Sequence, residues 1–334
     1  MKIDTVTRDF VSDTEVFADV FNYYIYGGQQ VIRPEQLMER DTAKVSLPYG
    51  SDGAAVPVQK FRDVQKLYAA MTDGRTEYVL YGVEDQSEIN YAMAVKSGLY
   101  DMLEYARQVE EASKSHRRAM EQERKARQEG KAVTRGKRPD PGEFLGGFWK
   151  EDRLIPSVTL TIYFGSDVWD GPLSLLDMME TTDPQILSCM DDYHVRLIAP
   201  ALMSDGEIMK LRSGLREVLL FIKYAKDKER LGMILEMEGT RFRTMERRAV
   251  DVIEAVTNIG LRFDEKEMKV DMCQAIREMR MESEQIGEAR GEARGALKNA
   301  QENAQNFYRL GVALETIAKG VGYDLETVKG WLGL

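Results

Sequence analysis

Residues 65–86, QKLYAAMTDGRTEYVLYGVEDQ, decide how this chain folds. Two runs of strand-forming residues flank Asp73-Gly74, and Asp-Gly is a strong hairpin signal because such a two-residue turn needs positive φ, which glycine supplies. With those two residues as the loop, Thr72 faces Arg75, paired residues have numbers that sum to 147, and Asp63 falls opposite Glu84. Side chains alternate along a strand. Tyr78, Leu80, Gly82, Glu84 and Gln86 therefore share a face with Asp63, while Val79, Tyr81, Val83 and Asp85 point the other way. Directly opposed side chains have β-carbons about 4.5–5.5 Å apart, and two carboxylates there repel unless a cation sits between them. An all-oxygen pair suits Mg²⁺ or Mn²⁺, and metal-assisted hydrolysis of a phosphodiester is the reaction class it permits. The competing reading is that acids at strand ends simply face solvent.

Upstream, Val16, Phe17, Val20, Phe21 and Tyr24 recur at helical spacing and predict a helix over 13–26, ended by Gly27-Gly28. Strands are predicted over 56–64, 65–71 and 76–86, with further turns at 48–50 and 51–53, and a second helix over 89–109. Residues 110–145 are charged, closed by Pro139 and Pro141, and have almost nothing to bury, so an exposed insert is expected. SVTLTIYF at 157–164 and HVRLI at 194–198 resume the sheet around an irregular Trp-Asp-Gly-Pro turn at 169–172. One α/β domain over 1–205 follows.

After 206 the pattern is helical. Leu211, Leu215, Val218, Leu219 and Ile222 form one stripe, and Met245, Ala249, Val252, Ile253, Val256 and Ile259 form the next, within a helical region over 206–264. A long helix over 265–310 would reach about 65 Å. It contains GEARGEARG, with Gly287, Gly291 and Gly295 four residues apart. Each glycine costs a helix about 1 kcal/mol relative to alanine. An acidic row at Glu284, Glu288 and Glu292 and a basic row at Arg290, Arg294 and Lys298 can pair between chains, which favours an oligomerisation helix over a solvated spacer. Residues 311–334 predict two short helices about Gly322, resembling a helix-turn-helix. Their charged side chains sum to −1, which favours a capping or dimerising module over a groove reader.

Composition narrows the chemistry. At 43% hydrophobic and 31% charged residues over 334, the chain folds. No apolar run approaches the roughly 20 residues of a membrane span, and MKIDTVTRDF lacks the apolar stretch of a signal peptide, so a cytoplasmic location is expected. Cys189 and Cys273, far apart, supply neither a disulfide scaffold nor a CxxC site and are expected to be buried thiols. With His116 and His194 the only histidines, a Ser-His-Asp triad or a multi-histidine metal site has almost no material, and His194 is expected to be structural. The net charge is −10, yet residues 114–138 carry ten basic and three acidic side chains, a local +7 that makes either a basic arm or a solvated insert.

Several strings together resemble one family: FADVFNYYIYGG (17–28), Arg62-Asp63, GVEDQSEINYAMAVKSGLYDMLEY (82–105) and IPSVTLTIYFGSDVWDGPLSL (155–175). They are similar to the Rpn or YhgA-like recombination-promoting nucleases and putative transposases of the PD-(D/E)XK superfamily. The likeness covers nearly the whole chain outside the basic insert. Its more specific parts are Glu-x-Gln at 84–86 and the Trp-Asp-Gly-Pro region, and the GEARGEARG repeat with a short helical tail is typical of such chains. The resemblance implies a restriction-endonuclease-like α/β core, its mixed central sheet flanked by helices, followed by an all-α C-terminal region with a long helix. It also implies a DNA endonuclease dependent on Mg²⁺ or Mn²⁺, with Asp63 the first metal-binding acid and Glu84 the second. Gln86 stands where the superfamily commonly has lysine, and glutamine carries no charge to stabilise the attacking hydroxide. Lys96 on the following helix is the nearest cationic candidate, the alternative being a surface lysine. An acid from the first helix commonly completes such sites, here Glu15 or Asp19. Tyr91 and Tyr100 line the cleft in the family pattern, although aromatics at helical spacing are more often core. The competing class is a catalytically weak or inactive nuclease-like fold acting as a DNA-binding or oligomeric assembly module. A third possibility has the basic insert docking phosphate while the tail sets the oligomeric state.

Overall fold

Two helices open the chain in this computed structural model, which describes residues 3–39, 43–46, 58–61, 63–72, 75–131, 136–261 and 267–334. The turns expected at 48–50, 51–53 and 73–74, together with Arg62 and the expected start of the long helix at 265, lie outside these residues. Helices α1 (Ile3–Ser12) and α2 (Thr14–Tyr26) meet at Asp13, whose carboxylate accepts the N–H groups of Glu15 and Val16 at 2.9 and 3.3 Å. Gly27, at φ 63°, ends α2. Helix α1 went unpredicted, although its buried Val6, Phe10 and Val11 carry a helical spacing.

Strand β1 (Leu37–Glu39) comes next, then the separate antiparallel pair β2 (Ala43–Ser46) and β3 (Val58–Phe61). Strands β4 (Val64–Thr72) and β5 (Arg75–Gln86) pair from Thr72–Arg75 to Val64–Val83, every pair summing to 147 as the Asp-Gly turn requires. The ladder stops there, one step short of Asp63 and Glu84. Helix α3 (Met93–Gln128) then crosses to β6 (Ser157–Tyr163), which runs parallel to β5. The short helix α4 (Pro141–Gly146) precedes β6, and α5 (Pro184–Leu187) precedes β7 (Leu197–Ile198). The result is a five-stranded mixed sheet in the order β1-β4-β5-β6-β7. Tyr81 of β5 stacks on Phe21 of α2, with ring centroids 4.2 Å apart, which places the N-terminal helices on the face that also bears Tyr68.

Helix α3 runs far beyond the apolar pattern that predicts it. Past residue 109, pairs one turn apart take over, Glu110 with Lys114, Glu121 with Lys125 and Glu123 with Arg127. The first part of the expected insert is therefore exposed helix. The part after Gly136 is tied back to it: the His116 ring stacks on Trp149 at 3.8 Å and its Nε2 lies 2.8 Å from Asp152.

Helices α6 (Asp205–Ile208), α7 (Leu215–Tyr224), α8 (Lys228–Met237), α9 (Gly239–Phe242) and α10 (Arg247–Thr257) complete one compact unit, with the pair β8 (Met245–Glu246) and β9 (Lys269–Val270). Leu211, Leu215, Val218, Leu219, Ile222, Ala249, Val252 and Ile253 are buried, as their periodicity predicts. The boundary expected at 205/206 runs between elements that share a core, because buried Asp19 of α2 accepts the N–H groups of Arg212 and Ser213 and the Ser213 hydroxyl, each at 2.8 Å.

Residues 271–334 form a second unit of α11 (Met272–Arg309), α12 (Leu314–Val321) and α13 (Leu325–Leu332). Thirty-eight residues give α11 a length of about 57 Å. Ala304, Ile317, Ala318 and Val328 make its small core, and Gly287, Gly291 and Gly295 lie on α11 in open space. No described helix is long and apolar enough to cross a membrane. The expectation of buried thiols is corrected: Cys189 is exposed and Cys273 half-buried, one just past a one-turn helix and the other in the first turn of α11.

Candidate active site

The end of β5 and the first turn of α3 bring four charged side chains together. Glu84 lies on the sheet face covered by α3 and has no exposed surface. The β5–α3 connection is short enough that Lys96 reaches back across it, placing Nζ 2.9 Å from Glu84 Oε2. Burial opposes the lysine's charge, but the Glu84 carboxylate, helped by Asp63 and Tyr100, outweighs it and raises the pKa. Lys96 is thus a held cation, its ammonium 5.9 Å from the centre of the buried Tyr100 ring.

Asp63 sits just outside the ladder and turns toward the end of β5. Its Oδ2 accepts the Asp85 N–H at 3.2 Å. Burial, and next the Asp63 charge, push the Asp85 carboxyl up to about 7, against the stabilising hydroxyl of Thr7 on α1. Here the alternation rule misleads. Asp85 does project to the α1 side, where Thr7 meets it, but Asp63 straddles the strand end and couples to it, so Asp85 is not in separate surroundings.

Gln86 donates its side-chain N–H to the Asp85 carbonyl at 2.7 Å. Gln65, on the Glu84 face by alternation, is buried, and its Nε2 has no hydrogen-bond partner among the described residues; the same holds for Ser97 Oγ beside Lys96. Further along α3, buried Asp101 accepts the hydroxyls of Ser157 at 2.8 Å, Thr159 at 2.7 Å and Tyr193.

The acids expected from the first predicted helix go elsewhere. Asp19 is committed to residues 212–213. Glu15 is exposed and lines a cavity of about 260 Å³ with Arg212, Ser213 and Arg241. No contact among the described residues brings either to Asp63 or Glu84. The N-terminal groups at the end of β5 come from α1 instead, with Thr7 on Asp85 and Asp4 accepting the Ser87 hydroxyl at 3.3 Å. No sequence signal marks these contacts, which join residues about 80 positions apart. Tyr91 is exposed and donates to Asp170 at 2.9 Å, linking the α3 entry to the Trp-Asp-Gly-Pro turn. His194 is no core residue: its backbone bridges Ser174 while its side chain is 71% exposed.

Among the described residues, no group of three His, Cys, Asp or Glu side chains forms a ready metal cage. The donor chemistry nevertheless fits a divalent cation, because the acids offer only oxygens, the ligand type such a cation takes. Comparison with protein-family models, with curated proteins and with solved structures finds no match to this chain.

Proposed function

We propose that this chain is a DNA endonuclease dependent on Mg²⁺ or Mn²⁺, with a PD-(D/E)XK core. The order of helix α2, strands β1, β4 and β5, helix α3 and strand β6 around a mixed sheet supports that core. The observation that carries the reading is Lys96 Nζ at 2.9 Å from Glu84 Oε2, since a cation from the adjacent helix supplies the charge that Gln86 lacks. Asp63 and Glu84 would hold the metal, which when bound neutralises phosphate charge and makes water a stronger nucleophile. Lys96 stabilises the negative charge that develops on the phosphoryl oxygens as the bond breaks. Gln86, held by the Asp85 carbonyl, fixes the end of β5. Cleavage leaves a 5′-phosphate and a 3′-hydroxyl, as the family likeness implies. Self-association through α11 belongs to the same proposal, its exposed acidic and basic rows meeting the opposite rows of a second copy.

Nicking of supercoiled plasmid by the purified chain tests the reading. Activity is expected with Mg²⁺ or Mn²⁺, and is expected to be lost in Asp63→Ala and Glu84→Ala, to fall about 100-fold or more in Lys96→Ala and to return in part in Lys96→Arg. Absence of nicking, or nicking indifferent to these changes, removes it.

The second reading, an assembly module without catalysis, is favoured by the complete burial of Glu84, which makes its pair with Lys96 resemble a structural ion pair. Calorimetric titration with Mn²⁺ separates the two, because a scaffold shows no binding that depends on Asp63 or Glu84.

A further inference from the structure

The far half of α3 concentrates positive charge on a chain whose net charge is −10. Lys114, Arg117, Arg118, Arg124 and Lys125 recur at spacings of three, four and seven, so they run along one side of the helix, with about 10 Å between residues seven apart. Glu110 and Glu121 engage Lys114 and Lys125, and the Arg124 charge also acts on Glu121, but among the described residues no acid lies within ion-pair distance of Arg118, Arg124 or Arg138. Arg124 and Arg138 also line a cavity of about 560 Å³, together with Lys137, Pro139 and the ion pair of Arg127 with Glu123. The scaffold behind it is built. Lys137 bridges Glu143 and Glu151 and lies 5.3 Å from the Trp149 ring, and Asp140 caps α4 by accepting the Glu143 N–H at 2.8 Å.

Exposed arginines with charge left over, carried on a folded element, suit a phosphate backbone. A row along a helix suits a polymer of phosphates better than one small anion. We infer that this basic face of α3, with the cavity formed by Arg124 and Arg138, docks the phosphodiester backbone of duplex DNA. Lys96 lies 28 residues earlier on the same helix, about 42 Å away, which matches roughly twelve base pairs of duplex. The proposed site and the docking face thus lie toward opposite ends of one helix. The choice of nucleic acid rests on the nuclease reading; the phosphate-docking face rests on the arginines alone.

Fluorescence anisotropy with a 20-base-pair duplex, in EDTA so that nothing is cleaved, tests it on the full chain. The double variant Arg124→Glu/Arg138→Glu is expected to weaken binding 10-fold or more at low salt, equally for unrelated sequences, and to reduce the slope of log K against log salt by about 2. Arg124→Lys/Arg138→Lys is expected to retain most of the binding, and unchanged circular dichroism shows that both variants fold. Binding in EDTA is read apart from nicking in Mg²⁺, so a chain that binds duplex through these arginines but never nicks fails the nuclease reading and not this one. Binding unaffected by the charge reversal, or inorganic tripolyphosphate competing as well as unlabelled duplex at equal phosphate, overturns the inference.

Discussion

The two faces of the central sheet are made of different material. Under α1 and α2, Tyr81 stacks on Phe21, Phe21 meets Phe17 at 5.1 Å, and Phe17 and Val83 are sealed from solvent. Lys66 also lies there, its ammonium 5.6 Å from the Phe17 ring and 3.3 Å from Glu39, as do Thr7 and Asp85. Under α3 the buried side chains include Gln65, Glu84, Ser157, Thr159 and Thr161 from the strands, and Ser97, Asp101 and Glu104 from the helix. Apolar burial favours folding at about 25 cal/mol per Å², whereas a buried polar group costs free energy unless it is bonded. The α1–α2 face is mainly apolar, whereas the α3 face buries Leu67, Leu80, Tyr163 and Met93 together with those polar groups. Of the polar groups on the α3 face some are satisfied, as Asp101 is by three hydroxyls, and some are not, as with Gln65 Nε2.

Substitutions on the two faces should separate activity from stability. Glu84→Ala, on the polar face, is expected to lower plasmid nicking by about 10³-fold, equivalent to roughly 4 kcal/mol of transition-state stabilisation, while circular dichroism still reports a folded chain. Phe21→Ala, on the apolar face, is expected to cost about 3–5 kcal/mol by urea denaturation, with the molecules that remain folded still nicking. If Phe21→Ala proves mild, or Glu84→Ala unfolds the protein, the division of labour is wrong.

Asp85 gives a pH-dependent version of the same contrast. Burial and Asp63 raise its pKa to about 7 in the folded chain, whereas an unfolded carboxyl titrates near about 4. Between those values the folded state binds more protons, so this group's contribution to stability is fully present below about 4 and is lost as pH rises to about 7. Asp85→Asn lacks that decline, and its Tm at pH 8 is expected to lie about 2–4 °C above wild type by calorimetry. A wild-type contribution that grows with pH would contradict the upward shift that burial and Asp63 give Asp85. The smallest effect belongs to the second unit, where open space surrounds Gly291. Gly291→Ala is expected to stabilise α11 by about 1 kcal/mol in thermal melts. A loss of stability, with a smaller mass by light scattering, would show that a second copy packs on that glycine.

Local chemistry made much of this architecture legible. The Asp-Gly turn gives the β4–β5 register by arithmetic, and Asp13 and Gly27-Gly28 mark both ends of α2, because caps and turns are decided by residues a few positions apart. The length of α3 was not legible, since past residue 109 it rests on paired charges, which an apolar periodicity does not record. The site was half legible. Alternation separates Glu84 from Asp85, but it names neither the helix above Glu84 nor the behaviour of a residue just beyond the ladder, so the turn of Asp63 toward Asp85 escaped it. Helix α1 was hidden because its neighbour α2 follows after one capping residue, and with it went Thr7.

Anomalous diffraction from crystals soaked in Mn²⁺ tests the central claim most directly. A single peak about 2.1 Å from carboxylate oxygens of both Asp63 and Glu84, absent in Glu84→Ala crystals, is the expected result. Ordered density for both side chains with no manganese between them, and Lys96 still closed on Glu84, would contradict the account.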